Sequence, residues 1–201
     1  MIMFDLGNVL VNFDHNLAIN KIKHSTNIDL PQAYQLFFDS ELTASFEEGR
    51  MIPIDFYAAI KEKLNLKISY QEFVPIWNEI FFLTENNIKI QNLVDKLKQN
   101  FILVLVSNIN VLHYNYLIKQ YEIFRQFSRH ILSYEVGARK PSPLIYKSAL
   151  SVLGVEPQEA IYIDDRQDLV EAASKLGIHS ICFNDYALLD KKLSNFLPEY
   201  F

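Results

Sequence analysis

Asp5 closes the apolar run "IMF", and Ser107 and Asn108 follow "FILVLV". Lys140 stands in "GARKP" after the run "HIL", and Asp164 and Asp165 follow "AIYI". Together these positions offer three carboxylates, a hydroxyl, an amide and an ammonium. Carboxylates crowded in one place repel unless a cation sits among them, and a hard, oxygen-seeking divalent ion, Mg²⁺ first, suits such a set. The hydroxyl, the amide and the ammonium are donors suited to phosphoryl oxygens. Singly, most of these residues have an ordinary structural reading. Asp5 can cap a turn, Ser107-Asn108 can end a strand, and Lys140 before Pro141 can open a helix. Asp164-Asp165 resists that reading, because adjacent acids directly after a buried run are costly without a compensating cation. The ordered set, on successive runs, points to chemistry.

Such a set needs elements that bring it together. The runs before Asp5, Ser107, Ser133, Asp164 and Asn184 read as short strands. Helical periodicity over 85–99, 142–154 and 166–177 separates the later ones. Strands alternating with helices predict right-handed crossovers and a parallel sheet with helices on both faces, an α/β Rossmann-like core. In such sheets ligands sit beyond the carboxyl ends of the strands, where these six residues fall. Residues 15–83 break the rhythm. "NLAINKIKHS", "LPQAYQLFFDS", "IDFYAAIKEKLNL" and "YQEFVPIWNEIFFL" all space apolar residues by three and four, with no buried strand among them. Roughly 70 residues of helix is too much for one crossover, so the expected organisation is a core of 1–14 and 84–201 with an all-helical domain, 15–83, inserted after the first strand.

The 201 residues, half of them hydrophobic and 21% charged, suffice for a buried core. One cysteine, Cys182, excludes an internal disulfide and fits a reducing compartment. The first residues carry an acid by position 5 and no preceding base, unlike a secretory signal, and the longest apolar run is too short to span a bilayer. The expectation is a cytoplasmic protein with no membrane partner. A net charge of −5 with scattered bases argues against a nucleic-acid partner. A small anionic ligand remains compatible with it.

The stretches "FDLGNVLVNFD", "LVLVSNIN", "SYEVGARKPSPLIY" and "IYIDDRQDLVEAASKLGI" occur in the order of the four motifs of the haloacid dehalogenase superfamily, which the chain resembles over nearly its whole length. The resemblance is to the branch with a helical cap after the first strand. Within it the "DLGNV" opening and the "FEEGRMIPIDF" segment are similar to bacterial sugar-phosphate phosphatases of the glucose-1-phosphate type. It implies a Mg²⁺-dependent phosphomonoesterase acting on a small phosphorylated metabolite, a sugar phosphate. The expected state is a monomer or weak homodimer. Asp5 would be the nucleophile that forms an aspartyl-phosphate. Asp5, the Gly7 carbonyl and Asp165 would hold the metal, with Asp164 and Asp168 orienting its shell. Ser107 and Asn108 would bind phosphate oxygens, and Lys140 would balance charge on the nucleophile and the transition state.

The family's usual acid two places after the nucleophile is replaced here by Gly7, which removes a general acid–base contribution of about 10²–10⁴-fold. Glu47, Glu48 and Asp14 are the candidates to replace it. In the loop around Gly49, Glu47 or Arg50 is expected to meet substrate. Leu169 stands where relatives often carry asparagine. The five histidines show no metal-ligand spacing, and the 11 tyrosines and 15 phenylalanines read as packing. Trp77 is expected inside the helical insert. The rival functions are a metal-independent 2-haloacid dehalogenase, which Asp164-Asp165 disfavours, a mutase, and a phosphate-binding module whose catalysis has decayed.

Overall fold

A computed structural model describes residues 1–26, 29–38 and 40–199. Strand β1 (Ile2–Phe4) lies at the centre of a five-stranded parallel sheet. On one side are β4 (Leu103–Ser107) and β5 (Arg129–Leu132); on the other are β6 (Ile161–Asp164) and β7 (His179–Cys182). The order β5-β4-β1-β6-β7 places β1 between two halves wound in opposite directions, the position at which an open sheet forms a crevice at its carboxyl edge. The register sets Phe4 beside Leu105 and Ile163, so the residues that follow emerge together at that edge.

The three central strands are buried on both faces, and their two-residue period sorts the side chains between the faces. Ile2, Phe4, Leu103, Leu105, Ile161 and Ile163 enter one apolar cluster. Met3, Val104, Val106 and Tyr162 enter the other. Helices α6 (Glu85–Leu97) and α11 (Tyr186–Phe196) cover the first face, and α9 (Pro143–Ser151) and α10 (Gln167–Ser174) cover the second. Helix α7 (Val111–Gln120) and the single turn α8 (Ser133–Val136) follow the two strands on the β5 side. Helix α6 also sets the loop after β1: Thr84 caps it with Asn87, and the buried Asn87 amide donates to the Val9 carbonyl at 3.0 Å.

Helices α1 (His15–Ile22), α2 (Leu30–Phe38), α3 (Glu41–Glu47), α4 (Pro53–Leu64) and α5 (Tyr70–Asn78) gather an apolar cluster of their own, with Phe37, Phe46, Phe56, Phe73 and Trp77 among its fully buried members. One feature departs from the all-helical expectation for 15–83. Helix α5 stops at Asn78, and β3 (Phe81–Phe82) pairs antiparallel with β2 (Asn12–Phe13). A two-residue apolar strand after a helix is indistinguishable by spacing from one more helical turn. The ribbon ties the entry and exit of the helical segment together, and the Asp14 amide donates to the Ile80 carbonyl at 2.9 Å beside it. No helix among the described residues is long and apolar enough to cross a membrane.

Candidate active site

The crevice beyond β1 is organised around one buried ammonium. Lys140 Nζ donates to Asp5 Oδ1 at 2.5 Å, to Asp164 Oδ2 at 2.8 Å and to the Val106 carbonyl at 3.1 Å, which uses all three of its protons. Its main chain is clamped from β4: the Lys140 amide donates to Asn108 Oδ1 at 2.7 Å, and Asn108 Nδ2 donates to the Lys140 carbonyl at 2.9 Å. Burial opposes the lysine charge, but Asp5 and Asp164 outweigh it and hold its pKa above the ordinary value. Burial pushes the Asp5 carboxyl up to about 7, against the pull of Lys140 and with Asp164 adding to the push.

The two acids after β6 divide their tasks. Asp164 is fully buried and already engaged, accepting from Lys140, from the Tyr162 hydroxyl and from the Arg166 amide at 2.9 Å. Asp165 is half-buried at the cavity wall, with Asn8 Nδ2 donating to it at 3.0 Å. Burial raises its pKa, with the Asn8 contact opposing. Asn8 reaches it from a left-handed backbone (φ 57°), a conformation asparagine tolerates. One oxygen each of Asp5, Asp164 and Asp165 lie within 4.8 Å of one another. Three carboxylates against one ammonium leave an excess of negative charge, which fits a hard cation such as Mg²⁺. Ser107 Oγ is buried with only a long 3.4 Å contact to the Asn108 carbonyl, leaving it able to meet a ligand.

A cavity of about 230 Å³ opens over these groups. Asp5, Gly7, Ser107, Asn108, Lys140, Asp165 and Glu47 all line it, as does Leu169, whose apolar side chain lacks the hydrogen-bonding capacity of an asparagine. The other side is aromatic: His15 lies flat on Phe38 with centroids 3.6 Å apart, Phe38 stacks on Trp77 at 5.2 Å, and Trp77 on His113 at 4.9 Å. Trp77 therefore belongs both to the helical cluster and to the cavity wall. Neither His15 nor His113 was singled out by spacing; only the fold brings residues 98 positions apart onto one wall.

Four sequence candidates stand elsewhere. Arg50 pairs with Glu48 and donates to Ser45 Oγ at 3.0 Å, outside the cavity lining. Its place opposite Glu47 is taken by Arg139, whose Nε lies 2.9 Å from Glu47 Oε2. Gly49 explains the exchange. At φ +69° it turns the chain sharply, and a Cβ there would come within 2.1 Å of the Tyr134 carbonyl, so Arg50 is carried away while the core meets Glu47. Asp14 caps α1 through the Asn16 amide, and Asp168 is exposed and held by Arg166 Nη2 at 2.7 Å.

Gly7 is filled from an unexpected side. A Cβ at this position would lie 2.8 Å from the Phe13 ring, so the space just beyond the Gly7 backbone is occupied by an aromatic edge.

His113 carries a testable electrostatic consequence. Asn110 Oδ1 accepts from the His113 amide at 3.0 Å, so Asn110 Nδ2 faces His113 Nδ1 (3.1 Å) and His113 Nε2 carries the proton toward the Trp77 carbonyl (2.9 Å). Burial holds this imidazole neutral, with its pKa lowered to about 3. Between that value and the ordinary 6.5 the unfolded chain binds one more proton, so stability present above 6.5 drains as pH falls. His113→Gln should shrink the loss of unfolding free energy between about pH 7 and pH 5 by about 2 kcal/mol, measured by urea denaturation. Equal losses in both proteins would contradict the assignment.

A family model described as a haloacid dehalogenase-like hydrolase matches residues 1–177. The chain belongs to the haloacid dehalogenase-like hydrolases. This hydrolase superposes with a TM-score of 0.80 on a family enzyme from Bacteroides thetaiotaomicron solved in complex with magnesium and inorganic phosphate. The two are 26% identical, and the match covers 94% of this chain and 97% of that one. It is 20% identical over 190 residues to a D-ribitol-5-phosphate phosphatase from the same species, covering 89% of each. It is 23% identical over 96% of its length to a drimenol cyclase from Aspergillus calidoustus, of which it spans 36%.

Proposed function

We propose that this hydrolase is a Mg²⁺-dependent phosphomonoesterase that transfers the phosphoryl group of a small metabolite, a sugar phosphate, to Asp5 and then to water. In this reading 1–14 and 84–201 are the catalytic core and 15–83 the cap. The observation that carries it is Lys140, held 2.5 Å from Asp5 and 2.8 Å from Asp164 in a buried cluster that leaves Asp165 at the cavity wall. Lys140 keeps one Asp5 oxygen in a fixed direction and lowers the repulsion between the carboxylate and an incoming phosphate. Ser107 Oγ and the main chain at Asn108 hold phosphoryl oxygens, and the Asn108 clamp on Lys140 fixes the two donors relative to each other. Asp5, Asp165 and the Gly7 carbonyl would hold Mg²⁺, with Asp164 behind them, and the ion supplies the positive charge that offsets nucleophile and phosphoryl group.

The substrate class is supported by the size of the cavity and by the relative that acts on D-ribitol 5-phosphate. A volume of about 230 Å³ suits a phosphoryl group with a short carbon chain or a single ring. The excess of carboxylate in the cluster argues against the metal-independent dehalogenase. The decisive measurement is phosphate release from a panel of sugar phosphates. Activity should vanish in EDTA and return with added Mg²⁺; turnover unaffected by chelation would overturn the reading.

A further inference from the structure

The loss of the acid at position 7 leaves open which group protonates the leaving oxygen, and the cavity answers by elimination. Among the described residues three carboxyl groups line it: Asp5, Asp165 and Glu47. Resting on the reading above, in which the first is the nucleophile and the second a metal ligand, we propose that Glu47, delivered by the helical segment, is the general acid–base catalyst of this hydrolase.

Glu47 is held against the catalytic core from two directions. Its main-chain carbonyl accepts from the buried Ser133 Oγ at 2.6 Å, and Gly49 just after it packs on the Tyr134 carbonyl. Its carboxylate faces Arg139, the residue before the catalytic lysine. The 2.9 Å Arg139–Glu47 approach is off the hydrogen-bonding direction, so Nε makes no directed bond and the pair is held by charge. Burial raises the Glu47 pKa, opposed by Arg139 and Lys140, the two cations that face it. The other candidates fail. Phe13 blocks the position beyond Gly7, both nitrogens of His113 are engaged, and burial lowers His15 to about 4, leaving it without a proton to give at neutral pH.

The steps balance. An Asp5 oxygen bonds to phosphorus as the ester P–O bond breaks. The leaving oxygen keeps that electron pair and takes the Glu47 proton, and the alcohol departs. Water then attacks the aspartyl-phosphate and gives a proton to the Glu47 carboxylate. The P–O bond to Asp5 breaks with its pair returning to the carboxylate, and phosphate is released with Glu47 reprotonated.

The test compares D-ribitol 5-phosphate, whose alkoxide needs a proton, with 4-nitrophenyl phosphate, whose phenolate does not. Glu47→Gln should lower the ratio of their kcat/KM values by about 10²-fold, mainly through kcat on the alkyl ester. A purely structural role would depress both substrates alike, so an unchanged ratio overturns the proposal. A second measurement needs no variant. Across a series of aryl and alkyl phosphates the wild-type rate should fall only shallowly with leaving-group basicity, and a steep fall would also overturn it. Asp5→Asn must silence both substrates in the same assay; if it does not, the phosphoryl-transfer reading itself has failed, not the assignment of Glu47.

Discussion

Asp5→Asn is expected to reduce ester hydrolysis by on the order of 10⁴-fold or more while the protein stays folded. The amide is close in shape to the carboxylate but neutral, so it cannot form the aspartyl-phosphate. The fold should tolerate it because Lys140 keeps Asp164 at 2.8 Å and the Val106 carbonyl at 3.1 Å, so its buried charge is not stranded. Phosphate release and a thermal melt on one preparation check both halves. Residual activity within about tenfold of wild type would remove Asp5 from the nucleophile's role.

Lys140→Met should have the largest effect on stability. It takes the only direct cationic partner, among the described residues, from two buried carboxylates, Asp5 and Asp164, at 2.5 and 2.8 Å. Removing one partner of a buried ion pair costs about 3–5 kcal/mol, because the remaining charge is uncompensated. In a chain of this size that corresponds to a fall in Tm of about 10 °C, to be measured in metal-free buffer. Turnover should be lost as well. Adding Asp5→Asn removes one stranded charge, so the double variant should be more stable than Lys140→Met alone. Simple additivity of the two changes would show that the contact contributes nothing to stability.

The strands and the residues at their ends were legible because a buried parallel strand must be continuously apolar, so the first polar residue after each run marks the sheet edge. Asp5, Ser107, Asn108 and Asp165 duly line one cavity, with Lys140 from the loop leading into α9. Contacts that depend on a turn were not legible. Arg50 is three residues from Glu47, yet Gly49 turns it away, and Arg139 arrives from 92 positions along the chain. The β3 strand was hidden because Phe81-Phe82 continues a helical spacing. The stacked wall of His15, Phe38, Trp77 and His113 was hidden because sequence distance does not encode ring contact.

The Phe13 edge that crowds Gly7 also bears on how this site can change. An aspartate introduced at position 7 alone would first meet a steric penalty, since its Cβ would start 2.8 Å from a ring that itself packs beside His15 and Phe81. The ring would have to shift or be trimmed for the new carboxyl to settle. Positions 7 and 13 are therefore sterically coupled, and the side chain at one constrains what the other can hold.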